Sequence, residues 1–337
     1  MPANLSPEYK TAAAAYRSAR EPRERLELLR EMLRVIPKHK GTEHLQADIK
    51  ARIKDLTAEL GSARKGGGHG GPALVIRPEG AAQIVLLGPP NAGKSLLHAR
   101  LTGSGAHDAP YPFTTQYPEP GMMPQADVHF QLIDLPAVSS LHPVPWLAST
   151  LQMADAALLV VDPGEPSCVE QLQDLHAVLR ERRVSLTERW DASDGVPSGD
   201  EDPFGLRLPT LLLVNKVEHI VNLAAELDAL RELAAVPYPM LAVSAATGRG
   251  LAEIGPWLFE HLGIVRIYTK TPGHPADKER PFTLRRGQTV RDAARLVHQD
   301  LARTVRYARV FGHAGFDAQQ VGPDHPLADG DIVELHG

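Results

Sequence analysis

The chain has 337 residues, of which 43% are hydrophobic and 23% charged, the composition of a folded, water-soluble protein with room for two or three domains. No apolar run approaches the ~20 residues of a membrane span, and the N-terminus lacks the basic-then-apolar layout of a signal peptide. We therefore expect a cytoplasmic protein with no membrane partner. The single cysteine, Cys168, excludes an intramolecular disulfide and a thiolate-rich zinc site.

The formal net charge of −5 is unevenly distributed along the chain. Residues 1–65 hold 14 basic against 9 acidic residues, residues 266–337 hold 11 against 9, and the segment between them holds 11 against 23. An acidic body with basic flanks favours contact between the flanks and a polyanionic partner. Ordinary solvated helix faces explain the same charges equally well.

The N-terminal segment, residues 1–60, is predicted to form a helical hairpin. Leucine and isoleucine recur at helical spacing from Leu26 to Ile36 and again from Leu45 to Leu60. The basic run Pro37–Thr42 breaks the pattern between them. This hairpin either contacts a partner through its basic turn or only packs on the next domain. Residues 61–80 follow, and their glycine-rich composition predicts a flexible linker.

Residues 81–265 alternate apolar strand-like runs with helical ones, which predicts a parallel sheet flanked by helices. The predicted strands are Gln83–Leu87, His129–Ile133, Ala156–Val161, Thr210–Val214 and Met240–Val243. Between the third and the fourth lies Ser185–Leu206, which is rich in Asp, Gly, Pro and Ser. We predict that this stretch is an acidic surface insertion, because it offers little to bury.

A phosphate-binding loop follows the first predicted strand. Residues 88–95 read Gly-Pro-Pro-Asn-Ala-Gly-Lys-Ser, the pattern of a P-loop, and a helix-like run follows from Leu96. Its glycines let the backbone curl so that successive NH groups and a helix N-terminus point at phosphates. Lys94 is expected to reach the terminal phosphates and Ser95 to hold magnesium. The predicted contacts of this loop are Gly88, Asn91, Ala92, Gly93, Lys94, Ser95 and Leu96.

Two further motifs predict how the metal and the γ-phosphate are held. Residues 111–115, Tyr-Pro-Phe-Thr-Thr, lie where a switch loop would offer a threonine hydroxyl, here that of Thr115, to magnesium. Asp134 closes the second predicted strand, which places its carboxylate at the edge of the sheet beside the metal. The predicted catalytic residues are therefore Lys94, Thr115 and Asp134, and the predicted magnesium ligands are Ser95, Thr115 and Asp134.

The last two predicted strands end in motifs that suit a purine base. Asn-Lys-Val-Glu at 215–218 follows the fourth strand, and Ser-Ala-Ala at 244–246 follows the fifth. An asparagine amide, a lysine stem packed along the ring and a carboxylate facing two base NH donors together suit guanine. The predicted base contacts are Asn215, Lys216, Glu218, Ser244, Ala245 and Ala246.

Residues 266–337 are predicted to form a second small domain. A helix is expected near Val290–Leu301, and strands at Tyr307–Phe311 and Ile332–Leu335, with Asp-Gly-Asp at 329–331 as the turn before the last strand. Its arginines predict either an RNA or protein contact or a solvated surface. They are Arg285, Arg286, Arg303, Arg306 and Arg309.

The five nucleotide motifs, taken in this order, resemble those of the Obg-related GTPases and most closely those of the developmentally regulated GTP-binding protein family. The resemblance covers nearly the whole chain, and the tail through Tyr307–Leu335 looks like a TGS domain, a small β-grasp-like module. It implies an α/β P-loop GTPase domain with an N-terminal helical hairpin and a C-terminal TGS domain. It also implies GTP or GDP with Mg²⁺ as cofactors, slow hydrolysis, and a role in translation in which the terminal modules contact ribosome or RNA.

Three departures from the family pattern bear on this function. Ala137 stands where the third motif normally ends in glycine, and its Cβ restricts the backbone flip of a switch. Glu218 replaces the aspartate that reads guanine. The domain usually inserted in the GTPase core has no counterpart in this sequence, since Ser185–Leu206 is too polar to replace it. Val138 also takes the place of a water-orienting glutamine, as a hydrophobic residue does in the family.

Three interpretations therefore stand side by side. The first is an enzyme, a magnesium-dependent GTPase that acts as a conformational switch. The second is a nucleotide-gated ribosome or RNA adaptor with little hydrolysis, which Ala137 and the missing glutamine would allow. The third keeps the fold but binds ATP, because Glu218 alters the base-reading motif.

Overall fold

The protein is described by a computed structural model that covers residues 5–19, 22–37, 42–65, 76–104, 117–141, 144, 146–190, 204–312 and 318–336. The described residues form an N-terminal helical unit, a central seven-stranded sheet with helices around it, and a C-terminal five-stranded sheet. Within these ranges, no helix has both the length and the apolar character that crossing a membrane requires.

The N-terminal helical unit consists of α1 (Pro7–Ser18), α2 (Pro22–Val35) and α3 (Glu43–Lys65). Helix α1 begins with proline at its first position, and the Ser6 side chain accepts a hydrogen bond from the Tyr9 NH at 3.2 Å, which caps the helix. The three helices share one apolar core. Its most buried members are Tyr9, Leu29, Met32 and Ile49.

Two predictions for this region were wrong in part. The predicted hairpin lacked α1, whose run of alanines at 12–15 gives a weak apolar stripe for periodicity to detect. Helix α3 continues to Lys65, so it extends beyond residue 61, where the linker was expected to begin. The basic turn at 38–41 and the glycine-rich residues 66–75 lie outside the described residues.

The central sheet contains β1 (Ala82–Leu87), β2 (Glu119–Gln125), β3 (Val128–Asp134), β4 (Ala156–Val161), β5 (Val184–Thr187), β6 (Leu206–Val214) and β7 (Met240–Ala242). The strand order is β2-β3-β1-β4-β6, with β5 and β7 both paired to β6. All pairs are parallel except β2 with β3. The sheet is flanked by α4 (Lys94–Thr102), α5 (Leu147–Leu151), α6 (Cys168–Glu181), α7 (Leu223–Ala234) and α8 (Leu251–His261).

The five predicted strands of this sheet are confirmed. Strands β1 and β4 are buried at every position, as continuous apolar runs in a parallel sheet covered on both faces should be. The sequence interpretation missed β2, which contains two prolines and a glycine. Such a strand is tolerated because β2 lies at the edge of the sheet and pairs only with β3.

The prediction that Ser185–Leu206 is a surface insertion with little to bury was wrong at the two ends of this stretch. Strand β5 continues to Thr187 and pairs with β6. The Trp190 ring contacts that of Trp257 edge to face, with ring centroids 4.6 Å apart. Phe204 is 7% exposed and packs in the core of the N-terminal helical unit. Residues 191–203 lie outside the described residues.

The C-terminal sheet contains β8 (Ile264–Thr269), β9 (Asp277–Arg285), β10 (Tyr307–Phe311), β11 (Gln319–Val321) and β12 (Asp331–His336). Its order is β11-β10-β12-β8-β9, and only β12 with β8 is parallel among these pairs. The helix predicted near Val290–Leu301 is in fact two helices, α9 (Val290–Val297) and α10 (Gln299–Thr304). Helix α9 begins with a capping box formed by Thr289 and Asp292.

Arg285 of β9 joins the C-terminal sheet to the central one. Its guanidinium group donates to the Asp155 carboxylate at 2.9 Å and to the Leu262 carbonyl at 3.1 Å. The Asp155 side chain is 6% exposed and also accepts a hydrogen bond from the NH of Gln83 in β1 at 2.8 Å. The ion pair therefore links β9 to the first residues of the central strands.

A second junction lies at the turn between β2 and β3. Arg266 of β8 donates to Asp127 in that turn at 2.8 Å and to Asp329 at 2.7 Å, and the Tyr268 hydroxyl also donates to Asp127. The hydrogen bonds to Asp329 and then Asp127 raise the pKa of Arg266. The C-terminal sheet is thus attached to the hairpin whose other end carries Asp134.

Candidate nucleotide-binding site

The predicted site residues converge because the carboxyl ends of parallel strands meet at one edge of the sheet. Strand β1 pairs with β3 on one side and with β4 on the other, and β4 pairs with β6. The loop at 88–93, Asp134, Asp162 and the 215–218 segment each follow or end one of these strands. The edge therefore brings together motifs that are widely separated in the chain.

The backbone of the P-loop requires glycine at two positions. Gly88 has φ +150° and Gly93 has φ +90°, conformations that L-residues with a side chain rarely adopt. A Cβ atom on Gly88 would collide with the Val160 carbonyl, and one on Gly93 would collide with the side-chain amide of Asn215. The first turn of α4 follows directly, and no side chain caps its N-terminus, so its NH groups can bind an anion.

The Lys94 side chain folds back over the preceding loop, residues 88–93. Its Nζ donates to the carbonyl oxygens of Gly88 at 3.1 Å and Pro89 at 2.9 Å, and the residue is 7% exposed. Burial lowers the pKa of Lys94 to about 8, while the nearby Asp134 carboxylate opposes that shift. The loop therefore holds a buried ammonium group that an anionic ligand would stabilise.

Ser95 and Asp134 are in direct contact. The Ser95 hydroxyl donates to the Asp134 carboxylate at 2.6 Å, and Asp134 is 1% exposed at the last position of β3. A hydroxyl and a carboxylate at one point are hard oxygen donors, which fit Mg²⁺. Thr115, the third predicted ligand, lies with the rest of 111–115 outside the described residues.

Asn215 connects the P-loop to the loop after β7. Its amide nitrogen donates to the Ala92 carbonyl at 2.9 Å, and its amide oxygen accepts a hydrogen bond from the Ala245 NH at 3.0 Å. The residue is 1% exposed, so these bonds form in a buried environment. Asn215 therefore fixes the spacing between the two loops.

Lys216 and Glu218 lie beside this connection. The Lys216 ammonium forms an ion pair with Asp162 at 2.8 Å. Glu218 lies in a single turn of 3₁₀ helix, Val217–His219. Burial raises the pKa of Glu218, but a hydrogen bond with the Ser244 side chain and neighbouring groups lowers it by more, so the carboxylate is charged at neutral pH. Ala246 contributes its carbonyl oxygen to Arg100 at 3.0 Å.

The sequence interpretation missed Asp162. A signal was present, since Asp162 is the first polar residue after the buried strand β4 and so lies at the same edge as Asp134. Position alone does not separate such a residue from a carboxylate that caps a turn. In the structure Asp162 does both, since one carboxylate oxygen accepts the Gly164 NH and the other pairs with Lys216.

The segment after Asp134 packs against the protein. Val138 is 2% exposed in the core beneath β1 and β3, and its NH donates to the Gly88 carbonyl at 3.4 Å. The NH of Ser140 donates to the Asp174 carboxylate of α6 at 2.8 Å. Since the Val138 side chain is part of the core, the position that holds a water-orienting glutamine in some GTPases offers no polar group to water here.

Comparison with known proteins assigns two parts of the chain to families and finds relatives of nearly full length. Residues 83–188 match the family described as 50S ribosome-binding GTPase, and residues 265–336 match the TGS domain. A GTP-binding protein of Halobacterium salinarum is 29% identical across 93% of this chain and 98% of that protein. Developmentally-regulated G-protein 3 of Arabidopsis thaliana is 26% identical across 88% of this chain and 94% of that protein.

A solved structure supports the fold. The Schizosaccharomyces pombe YchF GTPase aligns with a TM-score of 0.51 at 16% identity and covers 78% of this chain and 100% of that one. At that identity the likeness concerns the fold alone. The family resemblance and the fold class, a P-loop GTPase domain followed by a TGS domain, are confirmed by these matches.

Proposed function

We propose that this chain, whose relatives include developmentally regulated GTP-binding proteins, binds GTP with magnesium, hydrolyses it slowly, and acts as a switch associated with translation or the ribosome. One observation carries the proposal. Lys94, Ser95 and Asp134 lie at the same sheet edge as the 215–218 segment, which Asn215 bonds to the P-loop. Phosphate-binding and base-binding groups are therefore held at a fixed separation.

The phosphates would lie over the P-loop, where Lys94 and the NH groups at the start of α4 neutralise their charge. Magnesium would be held by Ser95 and Asp134, with Thr115 as the third proposed ligand. When bound, the ion would neutralise charge that develops on the β- and γ-phosphates. The chain's own contribution is to position these groups before the nucleotide arrives.

Two features support slow hydrolysis. Val138 is buried in the core and offers no side chain to orient an attacking water. Ala137 carries a Cβ where glycine would allow a backbone flip. Enzymes of this class gain large rate factors from a polar residue supplied in cis or in trans, so a partner would be required for rapid turnover.

The ribosome or RNA association rests on two observations. The flanks are basic while the body is acidic, and the matched GTPase family is described as 50S ribosome-binding. The exposed side chains of Arg303, Arg306 and Arg309 lie on the C-terminal module, where a polyanion could reach them. This association with ribosome or RNA is a separate proposal from nucleotide binding.

Titration calorimetry with Mg·GTP, Mg·GDP and Mg·ATP tests the nucleotide assignment first. We expect guanine nucleotides to bind more tightly than ATP. Equal or tighter binding of ATP would replace the GTPase assignment with the ATP-binding alternative that Glu218 suggests. Turnover measured with and without ribosomes then separates a switch from an adaptor, since the adaptor would bind ribosomes in its GTP form and show no stimulated hydrolysis.

A further inference from the structure

We infer that Asp162 is a positioning residue of the base site, which acts by fixing the ammonium group of Lys216. The inference rests on the proposed function, because it concerns how the same site holds a purine base. It assigns a role to a residue that the nucleotide motifs do not contain.

Each oxygen of the Asp162 carboxylate has its own partner, and the two contacts orient the group. Val161 of β4 lies opposite Val214 of β6, so the residues that follow these strands are neighbours. One carboxylate oxygen of Asp162 lies 2.8 Å from the Lys216 Nζ, and the other accepts the Gly164 NH at 3.0 Å. The Asp162 side chain is 19% exposed and that of Lys216 is 35% exposed, so the pair is partly shielded from water.

The backbone around Lys216 is also held in place. Its φ of +61° lies in the left-handed region, which is uncommon for a residue with a long side chain. The residues on either side are hydrogen-bonded to neighbouring strands, Asn215 NH to the Val161 carbonyl at 2.8 Å and Val217 NH to the Val243 carbonyl at 3.3 Å. Because the backbone and the ammonium group of Lys216 are both held, the four-carbon stem between them has few conformations.

A fixed stem has a specific consequence for binding. A free lysine loses rotamer entropy when a ligand orders it, and a lysine held in place beforehand does not. In the proposed site, the stem would contact the ring of a base through apolar groups, which do not distinguish guanine from adenine. Asp162 should therefore support the binding of any purine nucleotide, while the carboxylate of Glu218 sets the preference between bases.

Asp162→Asn tests this inference with little disturbance of the fold. The asparagine side-chain oxygen can still accept the Gly164 NH, so the turn is retained while the ion pair is lost. Calorimetry would compare Mg·GTP, Mg·ATP and inorganic tripolyphosphate with magnesium. We expect GTP and ATP to bind more weakly by the same factor, about tenfold, and tripolyphosphate, which has no base, to bind as it does to the wild type.

A double-mutant cycle shows whether Asp162 acts through Lys216. Lys216→Met keeps an unbranched stem but removes the ammonium group. If the inference holds, adding Asp162→Asn to Lys216→Met weakens GTP binding no further. Asp228→Asn is the matched control, since it removes an exposed ion pair with Arg231 on α7 and should leave all three ligands unaffected.

Three results would overturn the inference. They are unchanged GTP binding by Asp162→Asn, an equal loss for tripolyphosphate, and full additivity in the cycle. A different result identifies failure of the proposed function instead. If the wild type binds tripolyphosphate as tightly as GTP, then the chain has no base site, and Asp162 cannot position one.

Discussion

The two halves of the proposed nucleotide site are built in different ways. The phosphate half, residues 88–95 with Asp134, consists of backbone groups and two buried charged side chains. The base half, residues 215–218 and 244–246, presents Lys216 and Glu218, whose side chains are 35% and 20% exposed. In the proposed site, phosphate binding would therefore depend mainly on the fold, whereas the choice of base would depend on a few partly exposed side chains.

The largest expected effect comes from the phosphate half. Lys94→Ala should weaken Mg·GTP binding on the order of 100-fold, because it removes a buried cation that pairs with phosphate. Calorimetry would measure it, and tripolyphosphate should lose the same factor. The exposed Lys10→Ala on α1 is the control. A loss confined to GTP would show that Lys94 does not bind the phosphates.

Gly93→Ala tests whether the two halves depend on each other. A Cβ at this position would displace Asn215, the residue that joins the P-loop to the base half, so we expect at least a tenfold loss of GTP binding. The left-handed backbone should also cost about 1–2 kcal/mol of stability.

Gly103→Ala is the matched control for this change. Gly103 also has positive φ, +71°, but a Cβ there meets no atom of the described residues within 4 Å. It should lower the thermal midpoint, measured by scanning calorimetry, without affecting GTP binding. If both variants lost affinity alike, backbone strain and not the Asn215 connection would be the cause.

Asp134→Asn should remove the magnesium dependence of binding. The wild type is expected to bind GTP about tenfold more tightly with Mg²⁺ than with EDTA, since Asp134 and Ser95, which lie in contact, are the proposed oxygen ligands. The variant should show one affinity in both buffers. Asp324→Asn, at an exposed ion pair with Arg291, should behave as the wild type does. Magnesium dependence that persists in Asp134→Asn would locate the ion elsewhere.

The smallest effect is expected in the base half. Glu218→Asp shortens the carboxylate by one methylene and should raise the ratio of GTP to ATP affinity by about fivefold. Glu218→Ala should lower that ratio, while Glu232→Gln, exposed on α7, should leave it unchanged. Competition of ATP against a fluorescent guanine nucleotide would measure the ratio. An unchanged ratio in Glu218→Ala would mean that this carboxylate does not read the base.

The sequence predicted that Lys94, Ser95 and Asp134 lie close together, and the structure places them so. This prediction was possible because most of the phosphate half is continuous in the chain. The pattern of residues 88–95 is dictated by backbone conformation, and Asp134 could be found from the end of a buried strand. The ion pair of Asp162 and Lys216 could not be predicted in the same way. It forms because β4 and β6 are neighbours in the sheet. Strand order is not visible in the sequence around either residue.

Burial by a distant unit was the other source of error. Phe204 follows a polar, acidic run, so its neighbours predict exposure. In the structure the Phe204 ring contacts the Tyr16 ring, with centroids 6.0 Å apart. The Arg52 guanidinium group lies over the Phe204 ring, 4.4 Å from its centroid. The N-terminal helices bury this residue, and their docking position cannot be read from the residues around it.

The pair between Arg285 and Asp155 has a consequence for how the molecule unfolds. The Asp155 side chain is 6% exposed and supports the beginning of β1, so cutting the chain before β8 would remove the guanidinium group that balances its charge. Stranding a buried charge costs about 3–5 kcal/mol, a large share of a domain's stability. We therefore expect the TGS domain to stabilise the central sheet, so that the two sheets unfold together.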